Sequence, residues 1–186
     1  MNSRKTKHSK LHDMYHVDAT SIKSIPMKSS FWRICEYVIG GIFLTILIIF
    51  YLLFSIVRVD GQSMDPTLHS NQFLLLKKHT QPSRFDIAVL TERLESKGPE
   101  KQIIKRIIGF GGERVTVLNG RLFINDTEYI EGYLSDELSK HFKEQSFTIV
   151  VPDGYVFVMG DNRDISKDSR SVGCFKLEAI NGVILR

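Results

Sequence analysis

Several things are scarce in this sequence, and each scarcity excludes something. Only two cysteines occur in 186 residues, Cys35 and Cys174, so no disulfide framework can be built. One tryptophan and five prolines leave no proline-rich or low-complexity tract, and no stretch repeats itself. The main body has no excess of either charge. The formal net charge of +4 belongs to residues 1–30, where Arg4, Lys5, Lys7, Lys10, Lys23 and Lys28 face only Asp13 and Asp18. Taking those away from the totals of 25 basic and 21 acidic residues leaves 19 of each from residue 31 onward. The electrostatic footprint of a nucleic-acid binder is therefore missing. What is present, 42% hydrophobic and 25% charged residues, is a globular composition, which excludes a disordered or collagen-like chain. The length suits one ordinary domain plus one extra element.

Charge is also absent from the run YVIGGIFLTILIIFYLLFSIV, Tyr37 to Val57. At ~1.5 Å per helical residue this run spans ~30 Å, the thickness of a bilayer's hydrocarbon core. Arg33 and Glu36 close it on one side, Arg58 and Asp60 on the other. A buried helix of a soluble protein seldom stays apolar on every face for so many turns. A cleaved secretory signal is a poor fit too. The preceding polar region and the apolar run are both too long, and Val59-Asp60-Gly61 is not a small-x-small pattern. The run predicts a transmembrane signal-anchor helix over 37–57. With six Lys/Arg in residues 1–30, those residues are expected as a cytoplasmic basic tail and residues 58–186 as an extracytoplasmic domain of a single-pass protein of the cell membrane. The membrane would then separate Cys35 from Cys174, leaving the latter a packing residue.

In the tail, His8, His12 and His16 are spaced so that a helix would line them up for a metal, but no carboxylate or cysteine completes a set. Beyond the span the pattern is β. Short β-rich runs occur at Phe73–Lys77, Asp86–Leu90, Gln102–Ile108, Glu113–Leu118, Phe147–Val151, Tyr155–Met159 and Gly182–Leu185. Asn119-Gly120 predicts a type I′ hairpin turn between Arg114–Leu118 and Arg121–Ile124. Helical pattern is confined to Glu131–Lys143 and Phe175–Ile180. Many short strands with few helices point to an antiparallel sandwich or open barrel.

Candidate chemistry lies in three places. Gly61-Gln-Ser-Met-Asp-Pro-Thr-Leu68 offers Ser63 either as a nucleophile or as an ordinary turn serine; no G-x-S-x-G elbow surrounds it. His69, His79 and His141 sit in polar loops with no evident aspartate partner, so a Ser-His-Asp triad has no support. In Gln102–Ile108, strand alternation sets Ile103, Lys105 and Ile107 on one face and Ile104, Arg106 and Ile108 on the other. One face is expected to bury a charge among isoleucines. Lysine tolerates burial by shedding its proton, and arginine does not. At an ordinary pKa of ~10.4 only about 0.04% of the amine is neutral near pH 7. Desolvation that lowers it to ~7.4 makes a useful base, at ~4 kcal/mol taken from folding; the alternative is that Lys105 snorkels to water. The third place, Gly160–Arg170, is a structured polar loop. Its Asp161, Asp164 and Asp168 lack the glycine and final glutamate of a calcium loop, and Asp168 with Arg170 is expected as an ion pair holding it. Gly109–Gly112 precedes a strand rather than a helix, so it is not a phosphate loop.

Taken in order, a span, Ser63–Leu68 as S-M-x-P-T-L, Lys105–Gly109 as K-R-I-I-G and Gly160–Arg170 as G-D-N-R-x-x-S-x-D-S-R resemble a type I signal peptidase (bacterial leader peptidase), in the compact Gram-positive-like form. The resemblance covers nearly all of residues 37–186. It implies a mainly β, antiparallel two-sheet signal-peptidase/LexA-like fold behind one N-terminal transmembrane helix. It implies a membrane-bound serine endopeptidase that removes signal peptides from exported preproteins through a Ser/Lys dyad and an acyl-enzyme. Ser63 matches the nucleophile and Lys105 the general base; Ser166 matches the serine that orients the amine. Asp168 and Arg170 match the supporting pair, with Asp161 and Arg163 in the same loop. The oxyanion hole is expected from Ser63 and Gly61, through backbone N–H groups. The implied partners are preproteins carrying signal peptides with small residues before the cut, membrane lipid and the neighbouring secretion translocon. No nucleic acid, cofactor or metal is implied.

The chain departs from the family pattern in three places. Gly111 stands where proline is usual, which predicts a looser turn; Phe85 stands where glycine is usual; Gly61 stands where some relatives place an oxyanion-hole serine. Two other readings are a catalytically silent tethered relative, which would lack the serine or the lysine, and a self-cleaving repressor-type Ser/Lys protease, which would be soluble and carry a DNA-binding part.

Overall fold

The computed structural model describes residues 30–93 and 100–185. The basic tail, with His8, His12 and His16, lies outside the described residues up to Ser29. The chain divides into two compact units, residues 1–45 and 46–186. Helix α1 (Ser30–Leu53) begins in the first and ends in the second, and none of its side chains is buried. Its 24 residues, ~36 Å at helical rise, are long and apolar enough to cross a membrane.

The apolar run Tyr37–Val57 does not fold as one element. The helix starts seven residues earlier and stops at Leu53, and the next residue opens strand β1 (Phe54–Arg58). Phe54, Ile56 and Val57 are good strand formers. They find a partner in β2 (Phe73–Lys77), in register from Phe54 opposite Lys77 to Arg58 opposite Phe73. An unbroken apolar stretch has no period, so it could not show where helix gives way to strand.

Nine further strands follow: β3 (Ile87–Arg93), β4 (Glu100–Phe110), β5 (Arg114–Leu118), β6 (Arg121–Ile124), β7 (Thr127–Tyr129), β8 (Phe147–Val150), β9 (Tyr155–Met159), β10 (Phe175–Lys176) and β11 (Ile180–Ile184). They form two antiparallel sheets, in the orders β1-β2-β11-β3-β4-β9-β10 and β7-β6-β5-β8. A mainly β, two-sheet fold is thus what the chain adopts. Asn119 and Gly120 both take positive φ, 50° and 73°, as the type I′ hairpin between β5 and β6 requires.

The two helical expectations fail in the body. Glu131–Lys143 yields only short 3₁₀ turns, Glu137–Ser139 and Phe142–Glu144, and Phe175–Ile180 splits into β10 and the 3₁₀ turn Leu177–Ala179. In the first segment Glu131 is bonded to Arg163 of a distant loop, and in the second Phe175 and Lys176 pair with Val156 and Tyr155 of β9 instead of continuing a helix. One four-residue helix, α2 (Ser169–Val172), arises where none was expected, capped by Asp168, which accepts from the Arg170 N–H.

Strand β4 links the sheets. It pairs with β3 and β9 in the larger sheet, shifts register between Ile107 and Gly109, and turns through Gly111 and Gly112 into β5. That turn is not loose, although it lacks proline. The Gly112 N–H reaches Val151 O at 2.8 Å, the Glu113 carboxylate accepts from the Phe110 N–H at 2.7 Å, and Arg84 clasps the same carboxylate. The backbone at Pro152–Gly154 packs so closely on Gly111 that a Cβ there would collide with it. One core cluster, including Ile108, Val115, Leu122 and Phe157, lies at the β5–β6 sheet; two others flank the larger sheet, one around Leu76, Ile87 and Met64, one around Ala88, Ile107 and Val158.

Candidate active site

The turn after β1 carries Ser63. Gly61 takes φ 87°, a left-handed value at which a side chain is strained, and this reverses the chain. Met64 and Leu68 then sink into the core beside Leu76, Ile87 and Val89, and Leu68 N–H closes on Met64 O at 2.9 Å. The hydroxyl of Ser63 is therefore carried on a turn anchored by its neighbours. Asn162 N–H donates to Ser63 O at 3.1 Å, which ties the turn to the loop after β9.

Lys105 lies on β4 opposite Ala88 and is only 4% exposed. Its Nζ and the Ser63 Oγ are hydrogen-bonded at 2.7 Å, and Nζ also donates to Ile104 O at 3.1 Å. The amine does not snorkel; it stays inside, on the hydroxyl.

Arg106 goes beyond the expectation that one face of this strand buries a charge. It is 2% exposed, so both faces do. Asp161, fully buried, accepts from two of the guanidinium's N–H groups, Nε at 2.8 Å. A third donates to Phe85 O at 2.7 Å, and the ring of Tyr133 lies 3.8 Å from its centre. Asp161 also accepts from the Thr67 hydroxyl, so one carboxylate joins the serine turn to the lysine strand.

Phe85, where glycine was expected, sits at φ 67°. This region costs a residue with a Cβ roughly 1–2 kcal/mol. The ring packs against Tyr129 and Tyr133, with centroids at 5.5 and 6.2 Å, which offsets that strain.

The Gly160–Arg170 loop closes the site from the other side. Gly160 leaves no room for a Cβ: it would overlap both Ser63 O and Ser166 Oγ. Asp168 accepts from the Gly160 N–H at 2.9 Å and forms a two-pronged pair with Arg170, at 2.9 and 2.8 Å. Burial works to raise the Asp168 carboxyl, but Arg170, the Gly160 N–H and the nearby Ser166 hydroxyl outweigh it and hold the group below the ordinary aspartate range. Ser166 Oγ is itself buried, without a bond of full geometry. Arg163 donates through Nε to Gly160 O at 3.1 Å and pairs with Glu131. Burial opposes its charge as well; Glu131 overrides that and raises its pKa. Asp164 accepts from the N–H groups of His141 and Phe142. The three loop aspartates are thus held by protein donors, and among the described residues no metal-binding cluster of His, Cys, Asp or Glu is found.

Two histidines have aspartate partners after all. His69 Nδ1 lies 2.9 Å from Asp65, and His141 Nδ1 lies 3.3 Å from Asp164. Both pairs are on exposed histidines, and neither ring is bonded to Ser63, so no Ser-His-Asp relay is assembled.

A cleft of about 260 Å³ adjoins the dyad, lined by Val57, Val59, Ser63, Val89, Ile104 and Lys105. A larger one of about 670 Å³ runs along β8 and α2 and touches Ser166, but it contains neither Ser63 nor Lys105. The hydroxyl–amine contact, not cavity size, singles out the candidate site. Sequence reasoning missed Arg106, Thr67, Glu131 and Tyr133. For Arg106 a signal existed: a permanent charge in an apolar strand needs a buried anion.

Residues 32–185 match the model of the family described as Signal peptidase, peptidase S26. A signal peptidase I of Streptococcus pneumoniae serotype 4 is 36% identical in a 183-residue alignment that covers 76% of this chain and 87% of the relative. One from Bacillus amyloliquefaciens is 37% identical over 142 residues, 70% of this chain and 73% of its own. Signal peptidase I S of Bacillus subtilis strain 168 is 32% identical over 172 residues, 86% and 90% of the two chains. The crystal structure of a signal peptidase I from Enterococcus faecalis V583 superposes with a TM-score of 0.46 at 32% identity, covering 57% of this chain and 98% of that one.

Proposed function

The chain belongs to the signal peptidase family, peptidase S26, and from that premise we propose a membrane-anchored signal peptidase I that cuts preproteins with a Ser63/Lys105 dyad. The observation that carries the proposal is the 2.7 Å contact between a turn-borne hydroxyl and a buried amine.

The steps follow from those two groups. Ser63 Oγ attacks the carbonyl carbon of the scissile bond while the neutral Lys105 amine takes the hydroxyl proton. The resulting ammonium returns that proton to the departing amine, which leaves as the new N-terminus of the mature protein. Ser63 is left as an ester of the signal peptide. Lys105 then takes a proton from water, whose oxygen attacks the ester; the ammonium returns that proton to the departing Ser63 oxygen as the signal peptide leaves as its acid. The backbone N–H of Ser63, on the approach shaped by Gly61, stabilises the oxyanion in both halves. The family resemblance gives Ser166 the part of orienting the amine, although its buried hydroxyl makes no bond of full geometry here, and Asp161, Arg163, Asp168 and Arg170 hold the surrounding loop. The small cleft beside Ser63, walled in part by Val57, Val59, Val89 and Ile104 and rimmed by charged and polar residues, suits short side chains, in keeping with an Ala-x-Ala-like preference before the cut.

Helix α1 spans the membrane in this reading, with the tail cytoplasmic and the β body outside. Preproteins are presented there beside the secretion translocon, each held in the same lipid plane by its own signal segment.

Detergent-solubilised protein incubated with a labelled preprotein, followed by sequencing of the new N-terminus, tests the activity. Ser63→Ala and Lys105→Ala should each abolish cleavage while the fold persists; an active Lys105→Ala enzyme defeats the dyad. The rate should climb with pH as the amine loses its proton, below the ~10.4 of a free lysine. A profile that stays level between roughly pH 6 and 9 contradicts a lysine base.

A further inference from the structure

The segment between β7 and β8 matches no motif, yet it reaches both halves of the dyad. Glu131, with a side chain 5% exposed, grips Arg163 through both oxygens, one at 2.8 Å. Arg163 in turn holds Gly160 O, and Gly160 is the residue wedged between Ser63 O and Ser166 Oγ. Two residues along, the Tyr133 ring lies 3.8 Å from the centre of the Arg106 guanidinium, next in sequence to Lys105. Arg106 shares Asp161 with Thr67 of the serine turn. The Tyr133 hydroxyl donates back to Glu131, which joins the two arms. Burial first, and then the Glu131 charge, push the Tyr133 phenol up, so it remains a donor. Phe142, further along the segment, lies under Arg163 at 4.5 Å and Arg170 at 5.5 Å.

We propose that Glu131 and Tyr133 are positioning residues that set the alignment of the Ser63 hydroxyl with the Lys105 amine, each through one buried arginine. The proposal rests on the dyad reading above. Its physical basis is that neither arginine can relax into water. Arg163 has no exposed side-chain surface, and without Glu131 it must draw harder on the acceptor it already holds, Gly160 O. That pull falls on the residue packed so tightly between Ser63 and Ser166 that not even a Cβ fits there. Without its ring partner, Arg106 has room to tilt away from Asp161, and Thr67 moves with that carboxylate.

Full-length enzyme in detergent and a fluorogenic peptide with Ala-x-Ala before the cut provide the test, with kcat and KM scaled to the folded fraction by circular dichroism. Glu131→Gln and Tyr133→Leu should lose roughly 10- to 100-fold in kcat while KM stays within about twofold. Tyr133→Phe keeps the ring and should stay within about threefold of the parent kcat. Glu131→Gln/Arg163→Gln should be no slower than the slower single variant, because both act along one path. A role confined to stability would lower the melting temperature and leave kcat of the folded enzyme unchanged. Folded Glu131→Gln and Tyr133→Leu enzymes with kcat within about twofold of the parent would overturn the proposal, and so would a loss confined to KM. If Glu131→Gln does not fold, Tyr133→Leu decides by the same criterion. Ser63→Ala separates the two levels: inactive beside a parental Glu131→Gln, it sinks only this inference, whereas an active Ser63→Ala sinks the dyad itself.

Discussion

Asp168 shows how much one residue does here. It caps α2, pairs with Arg170 and fixes the Gly160 backbone, all while fully buried. Its carboxyl is held below the ordinary value in the folded chain. The folded state therefore binds a proton there less readily than the unfolded state, for which ~3.9 applies. The stability this supplies is present above about pH 4 and is lost as pH falls through the lower folded value. Urea midpoints measured between about pH 2.5 and 5 should fall steeply for the parent and more gently for Asp168→Asn, which should be the less stable protein at neutral pH. Equal slopes would remove Asp168 from the acid transition. At this scale Lys105 was legible only in part: alternation set it among isoleucines but left burial and snorkelling open, and Arg106 on the opposite face is buried too. The anion beside Arg106 was not legible. Asp161 is 55 residues away, and nothing local to either residue announces the pair.

At the scale of elements, the hairpin at Asn119-Gly120 could be read because its chemistry is local. The β1 strand could not, because Phe54–Val57 is apolar in either conformation. The segment after β7 looked helical by spacing, but Glu131, Tyr133 and Phe142 are committed to buried arginines instead. The position of β1 makes a testable difference. A chain beginning at Phe54 keeps the β1–β2 pairing and should fold; one beginning at Val59, just past the apolar run, bares β2. The shorter chain should melt earlier and aggregate on concentration, as seen by light scattering and thermal melts. Identical behaviour would mean that β1 contributes nothing to the sheet's stability.

For the whole molecule, α1 buries none of its own side chains. Its contribution on the proposed reading is concentration: enzyme and substrate share a plane, which raises their encounter without added affinity. The chain beginning at Phe54 should therefore cleave a soluble peptide about as well as the full protein. It should be at least about tenfold slower on a preprotein embedded in vesicles. Equal rates on the embedded preprotein would show that anchoring is irrelevant to turnover.

The junction between helix and sheet has one more consequence. Leu53 ends α1 and Phe54 begins β1, with no residue between them, and Ser63 follows five residues after the strand ends. On the proposed reading, the absence of any linker between the spanning helix and the sheet would let the length of a preprotein's signal segment, as well as its side chains, bear on which bond is cut.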